Sequence, residues 1–193
     1  MTKDAVRAAI GSYKKQRITG RHLVQSAVLV PLVCKDGELQ VLLTERTMGV
    51  GLHKGEVCLP GGAVHAEDDS LRDTALREAW EETGLSPGDV EIIGEIDDNV
   101  VQSTGYVITP FVGLAPYPYP FTANESEISD LFFVPLRVLM DAQEFRHQER
   151  VIGAYYYSGP VLDYDGHVIW GATGRILKHL VALLSGGGVS THA

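Results

Sequence analysis

Three glutamates, Glu78, Glu81 and Glu82, crowd into the stretch "REAWEET". Acids three and four positions apart on a helix lie about 5 to 6 Å from one another at Cβ, and like charges there cost a few tenths of a kcal/mol per pair. These acids also stand toward the C-terminal end of the segment, where the helix dipole disfavours negative charge. Just upstream comes "LPGGA", residues 59–63, whose glycines let backbone carbonyls and amides approach a ligand closely. Carboxylate oxygens, a few backbone carbonyls and water form the donor set that Mg²⁺ or Mn²⁺ takes. The pattern therefore points to a divalent-metal site, with a plain solvated acidic face as the alternative.

Those acids need a helix, and the run Ser70 to Thr83, free of Gly and Pro and closed by Gly84, predicts one of about four turns. At about 100° per residue the three glutamates share one arc, and Ala75, Leu76, Ala79, Trp80 and Thr83 fill the adjoining arc, expected to be core. Upstream, "SAVLVPLVC" and "LQVLLTER" flank "KDGE", whose Asp-Gly pair signals a hairpin of antiparallel strands near 26–34 and 39–45. Residues 46–62 hold Gly49, Gly51, Gly55, Gly61 and Gly62, so they read as an extended loop with at most a short strand at "EVCL". A long loop in a compact domain is usually functional.

Downstream, "DVEIIGEID" and "YVITPFVGLAP" read as strands divided by polar "DNVVQSTG". Alternate prolines in "PYPYPF" exclude regular structure by removing donors and fixing φ. "DLFFVPL" leads into a short helix, residues 153–170 form a hairpin, "TGRILKHLVALL" is a closing amphipathic helix, and residues 186–193 are a flexible tail. The N-terminus is expected to be a short amphipathic helix followed by a basic stretch. Strands mixed with well-separated helices suit an α/β (α+β) sandwich, a mixed sheet covered on both faces.

With 193 residues, 45% of them hydrophobic, the chain is the size of one domain with a sizeable core. A formal net charge of -9 argues against gripping nucleic acid or an anionic membrane face. No apolar run approaches the roughly 18 residues that span a bilayer, and no secretory signal is apparent. Cys34 and Cys58 lie in apolar runs and are expected to be buried free thiols, as suits a reducing cytoplasm. Trp170 and at least one of Tyr155, Tyr156 and Tyr157 are expected in the core.

The stretch Gly62 to Leu85 resembles the box that defines the Nudix hydrolase family. Arg77-Glu78-Ala79-Trp80-Glu81-Glu82-Thr83-Gly84-Leu85 matches the second half of that box at every fixed position. Fourteen residues separate Gly62 from Arg77, one more than the family pattern, and Glu67, Asp68 or Asp69 stands for its early acid. The upstream segments Leu42-Leu43-Thr44-Glu45-Arg46-Thr47, Gly55 and Leu59-Pro60-Gly61-Gly62 resemble the signature of the coenzyme A pyrophosphatase-like subgroup. Gly51 stands where that signature has an Arg, and Leu59 where it has a Phe. The likeness covers about residues 23 to 180.

The resemblance implies an α/β/α sandwich that forms a single domain and uses Mg²⁺ or Mn²⁺. It makes Glu78 and Glu82 the principal metal ligands, with Glu81 as a further ligand or as the base that deprotonates water, and Gly61 lending its carbonyl. Arg77 would orient the acids through an ion pair, and Glu127 in "NESE" would be a late acid that binds metal or activates water. Apart from the resemblance, Arg46, His53 and Lys54 are cations beside the loop glycines and are expected to hold phosphate oxygens, Arg46 foremost. The implied activity is hydrolysis of the pyrophosphate of a nucleotide-derived small molecule, coenzyme A or an acyl derivative foremost. ADP-ribose, nucleotide sugars, dinucleotides or nucleoside triphosphates are the rival substrates, and a catalytically silent nucleotide sensor is the rival of another class. A homodimer is left open.

Overall fold

The computed structural model describes residues 1–20, 22–48, 55–102, 104–141, 144–152 and 155–186. Asp36 and Gly37 both take positive φ (53° and 77°), the conformation that a tight two-residue hairpin turn requires. They join β1 (Val24–Lys35) to β2 (Glu38–Arg46), which pair antiparallel from Leu32 opposite Val41 to Lys35 opposite Glu38. Along its other edge β1 runs parallel to β7 (Tyr106–Leu114), from Val24 opposite Tyr106 to Leu32 opposite Leu114.

Around this pair the main path of an eight-stranded mixed sheet runs β3 (Val57–Cys58), β2, β1, β7, β5 (Glu91–Glu95). Three strands lie off that path: β4 (Gly61–Ala63) on β1, β6 (Asn99–Val101) on β7, and β8 (Ile128–Pro135) on β2. Side chains of β1 alternate between two cores. Ala27, Leu29 and Val33 meet Ala75, Leu76 and Ala79 of α2 (Leu71–Thr83) on one face. Val30 and Leu32 belong to the opposite core, with residues of α1 (Lys3–Gly11), α3 (Leu136–Met140) and α4 (Gly171–Leu184). The result is the expected α/β arrangement, a mixed sheet with helices on both faces.

Several local expectations are corrected. "DNVVQSTG" contains β6, and the glycine pair after Pro60 forms β4 rather than loop. Both strands are three residues long, too short for a hydrophobic period to register. The expected hairpin at 153–170 is a three-stranded sheet in which β10 (Tyr155–Tyr164) pairs with β9 (Arg146–Ile152) and β11 (His167–Ile169). Polar "RHQER" conceals β9 because it pairs along one side of β10 without an apolar alternation of its own.

Trp80, assigned to the core, is 57% exposed: the helix turns Ala75, Leu76 and Ala79 inward and leaves the indole on the outer side. Trp170 is partly buried, edge-on to the buried Tyr157 at 5.3 Å. Cys34 and Cys58 are free, but partly rather than fully buried. Of the expected tail, residues 187–193 lie outside the described residues. Among the described residues, no helix is long and apolar enough to cross a membrane.

Candidate active site

Ser70 caps α2, its hydroxyl accepting from the Asp73 amide at 3.2 Å, and Gly84 ends the helix at φ 71°, a left-handed conformation that glycine adopts without strain. Side chains on a helix lean toward its N-terminus. Arg77 accordingly reaches back past Thr74 to Asp68, donating from Nε at 2.9 Å and Nη2 at 3.0 Å. Asp68 also accepts from the His65 amide (2.8 Å) and the Thr74 hydroxyl (2.9 Å). The Arg77 guanidinium, seconded by those donors, holds its carboxyl well below the usual carboxylate range. Of the three candidates for the early acid, Asp68 is therefore the one that pairs with Arg77. The signal in the sequence was Thr74 and Arg77 sharing a helix face one turn apart.

The remaining nitrogen of that guanidinium organises the glutamates. Arg77 Nη1 lies 2.8 Å from Glu78 Oε1 and 3.1 Å from Glu81 Oε2. The Glu78 carboxylate occupies space that only a glycine leaves open, since a Cβ on Gly62 would stand 2.5 Å from it. Burial raises the pKa of Glu78 above its ordinary value, with Arg77 working against that shift. Glu81 points outward, its side chain 46% exposed.

Glu82 differs from both. Its side chain is 3% exposed, and the segment after "PYPYPF" packs over the helix end, the Asn124 amide donating to the Glu82 carbonyl at 3.1 Å. Burial pushes the carboxyl up to about 8; Arg46 and the Gly61 backbone amide oppose this, and Glu78 and Glu127 add to it. Oε1 lies 3.3 Å from Arg46 Nη1, while Oε2 is buried with no hydrogen-bond partner among the described residues. A buried orphan oxygen is costly and calls for an explanation.

Arg46 arrives from the end of β2, where the register against β8 shifts between Glu45 and Arg46. Its Nη2 lies 3.6 Å from Glu127 Oε2, and the Thr47 amide donates to the Glu127 carbonyl at 2.8 Å, so the late acid sits beside Glu82. Glu45 and Asp130, cross-strand neighbours, both approach His167 of β11: Glu45 Oε2 lies 2.7 Å from Nδ1 and Asp130 Oδ2 3.5 Å from Nε2. That imidazole stacks on Phe132 with centroids 3.8 Å apart. Its partner Glu45 is 122 positions away, and nothing local in the sequence announces the contact.

The structure thus brings Arg46, Gly61, Glu78, Glu82 and Glu127 together, with Glu81 at their exposed edge. His53, Lys54 and Gly51 lie outside the described residues. Among the described residues no three carboxylate, imidazole or thiolate groups already converge on one point, and Arg77 and Arg46 lie between the acids. The orphan Oε2 of Glu82 and the Glu78 carboxylate seated against Gly62 nevertheless fit a hard divalent cation: both are oxygen donors, and one is unsatisfied.

Comparison with known proteins bears on the family and the fold. The NUDIX domain family model matches residues 23–155. A protein of Yersinia pestis (strain Pestoides F) described as "Uncharacterized Nudix hydrolase NudL" is 36% identical over 165 residues, covering 83% of this chain and 80% of the relative. Among solved structures, a C. elegans Ap4A hydrolase binary complex is similar with a TM-score of 0.56 at 15% identity, over 85% of this chain and 99% of the other. The NUDIX domain of Shewanella oneidensis NrtR complexed with ADP ribose is similar at 0.51 and 24% identity, over 72% and 87%. These two likenesses establish the fold.

Proposed function

The chain belongs to the NUDIX domain family, and we propose that it is a hydrolase that cleaves the pyrophosphate bond of a nucleoside diphosphate derivative. Coenzyme A or an acyl-CoA is the substrate, giving 3′,5′-ADP and (acyl-)4′-phosphopantetheine. The observation that carries the reading is the Glu82 carboxylate, buried with one oxygen unpartnered, one turn from a Glu78 carboxylate seated in the space left by Gly62. The upstream likeness, "LLTERT" and "LPGG" in register, supports the choice of substrate.

Glu78 and Glu82 would hold Mg²⁺ or Mn²⁺, with Glu81 and the Gly61 carbonyl as further donors. Such a cation supplies neutralisation of the phosphoryl charge and a water of lowered pKa. Glu81, at the exposed edge of the cluster, takes a proton from the attacking water, and Glu127 is the second candidate for that role. Arg46 contacts phosphate oxygens, together with His53 and Lys54. Two free thiols support a reducing, cytoplasmic setting.

The test is purified protein with Mg²⁺ or Mn²⁺ and a panel of coenzyme A, acetyl-CoA, ADP-ribose, a dinucleotide and a nucleoside triphosphate, with products separated by chromatography. Release of 3′,5′-ADP from the coenzyme A compounds is expected. Intact coenzyme A beside cleaved ADP-ribose or dinucleotide would reject the substrate and keep the reaction. Ligand-induced thermal stabilisation with no cleavage of any compound would favour a sensor.

A further inference from the structure

Two arginines sit among the acids of this site, and they hold them differently. Arg77 is locked: two of its nitrogens fork onto Asp68, and Nη1 lies at hydrogen-bond length from Glu78 and Glu81. Arg46 is held loosely, with Nη1 3.3 Å from Glu82 Oε1 and Nη2 3.6 Å from Glu127 Oε2, the latter beyond hydrogen-bond length. Among the described residues it nonetheless supplies the cationic charge paired with Glu82, and that carboxylate keeps a second oxygen unpaired. A divalent cation on Glu82 would meet this guanidinium across a single buried carboxylate, where low polarity magnifies their repulsion.

We propose that Arg46 and the divalent cation are alternative counter-ions of Glu82, so that metal loading expels the Arg46 guanidinium from the Glu82–Glu127 pair and presents it to substrate phosphate. The inference rests on the metal-site reading above and adds an order of events to it. Arg46 is a positioning residue in the metal-free protein and a phosphate contact only in the loaded one. By thermodynamic reciprocity, metal and nucleotide then strengthen each other's binding by the same factor. Arg77 takes no part in the exchange, because its fork on Asp68 anchors it away from Glu82.

The experiment is calorimetric titration of Mn²⁺ alone into wild type and Arg46→Gln, Arg46→Lys, Arg77→Gln, Arg72→Gln and Glu82→Gln variants, followed by ADP titration at saturating Mn²⁺. Arg46→Gln is expected to bind Mn²⁺ roughly fivefold more tightly, the scale of one displaced ion pair. It should bind ADP about tenfold more weakly, as fits a lost charge-assisted phosphate contact. Arg77→Gln should weaken Mn²⁺ by freeing Glu78. Loss of the exposed Arg72, at the start of α2, should change neither affinity.

Unchanged or weaker Mn²⁺ binding by Arg46→Gln overturns the proposal, as does an equal gain in Arg72→Gln, which would reduce the effect to net charge. Should Arg46→Gln fail to fold, Arg46→Lys decides: with one ammonium for two acids, it should still tighten Mn²⁺ measurably. If Glu82→Gln binds Mn²⁺ as wild type does, the metal lies elsewhere and the functional reading itself falls.

Discussion

Glu82 and His179 lie on opposite faces of the sheet and share one property: each is a buried titratable side chain with polar atoms that lack a hydrogen-bond partner. Their surroundings differ in sign. Around Glu82 stand Glu78 and Glu127, like charges that cannot satisfy it, with one loosely held arginine. Beside His179 stands Asp97, an acid whose Oδ2 is 3.5 Å from Nε2, while its Oδ1 accepts from the Tyr13 hydroxyl (2.7 Å) and the Gln16 amide (2.7 Å). Tyr13 also turns its ring edge-on to the imidazole at 5.8 Å. Glu82 is thus repelled by two of its neighbours, the condition under which an added cation relieves it. Where a neighbour complements the buried group, as Asp97 does His179, neutrality of the group itself suffices.

The largest expected contrast is in turnover. Glu82→Gln should lower kcat about a thousandfold or more, the scale of losing charge stabilisation worth several kcal/mol. His179→Phe should leave kcat within about threefold, because a group far from the substrate moves activity only through folding. A steady-state assay on both variants tests the contrast, and equal losses would break it. Gly62→Ala comes next. A methyl group 2.5 Å from the Glu78 carboxylate should cost about 10- to 100-fold in kcat/KM and weaken Mn²⁺ in the same titration. Retained metal affinity would show that the space around Glu78 is dispensable.

The pH dependence of stability should separate the two groups by sign, read as Tm in chelator from about pH 5 to about pH 9. Glu82 is raised from 4.5 to about 8, so between those values the native state holds a proton that the unfolded chain has lost, and stability falls as pH rises. Burial lowers the pKa of His179 from 6.5, so below 6.5 the unfolded chain binds the extra proton and stability falls as pH drops. Glu82→Gln should flatten the alkaline limb and His179→Phe the acid one; a limb that persists unchanged in its variant would remove that residue from the account. The smallest effect belongs to Trp80→Ala, expected to shift Tm by less than about 2 °C, as for an exposed side chain.

What the sequence disclosed followed from local rules. The Asp36-Gly37 turn, the helix closed by Gly84 and the clustering of Glu78, Glu81 and Glu82 are all written within a few residues. The wheel of α2 located the acidic edge but not its depth. Burial of Glu82 depends on residues 122–124, which close over the helix end, and on Arg46, 36 positions away. The same limit misplaced Trp80, since a helical period says which residues share a face and not how far the partner surface extends. The pairing of His179 with Asp97 and of His167 with Glu45 joins distant elements, and single polar residues carry no periodic signal of such contacts.

The register shift between Glu45 and Arg46 has a consequence for how the site tolerates change. Neighbouring strand residues face opposite ways, so Arg46 turns toward Glu82 and Glu45 toward His167, and the irregularity passes over Ser129 of β8 to set Asp130 opposite Glu45 and Ile128 opposite Arg46. A strand paired one residue out would offer a carboxylate to the acidic helix and send the guanidinium to the imidazole. The sign of the charge opposite Glu82 is thus stored in the alignment of two strands. A one-residue deletion ahead of Glu45 in β2 would act as a charge reversal while leaving every ionisable residue of the site in the chain.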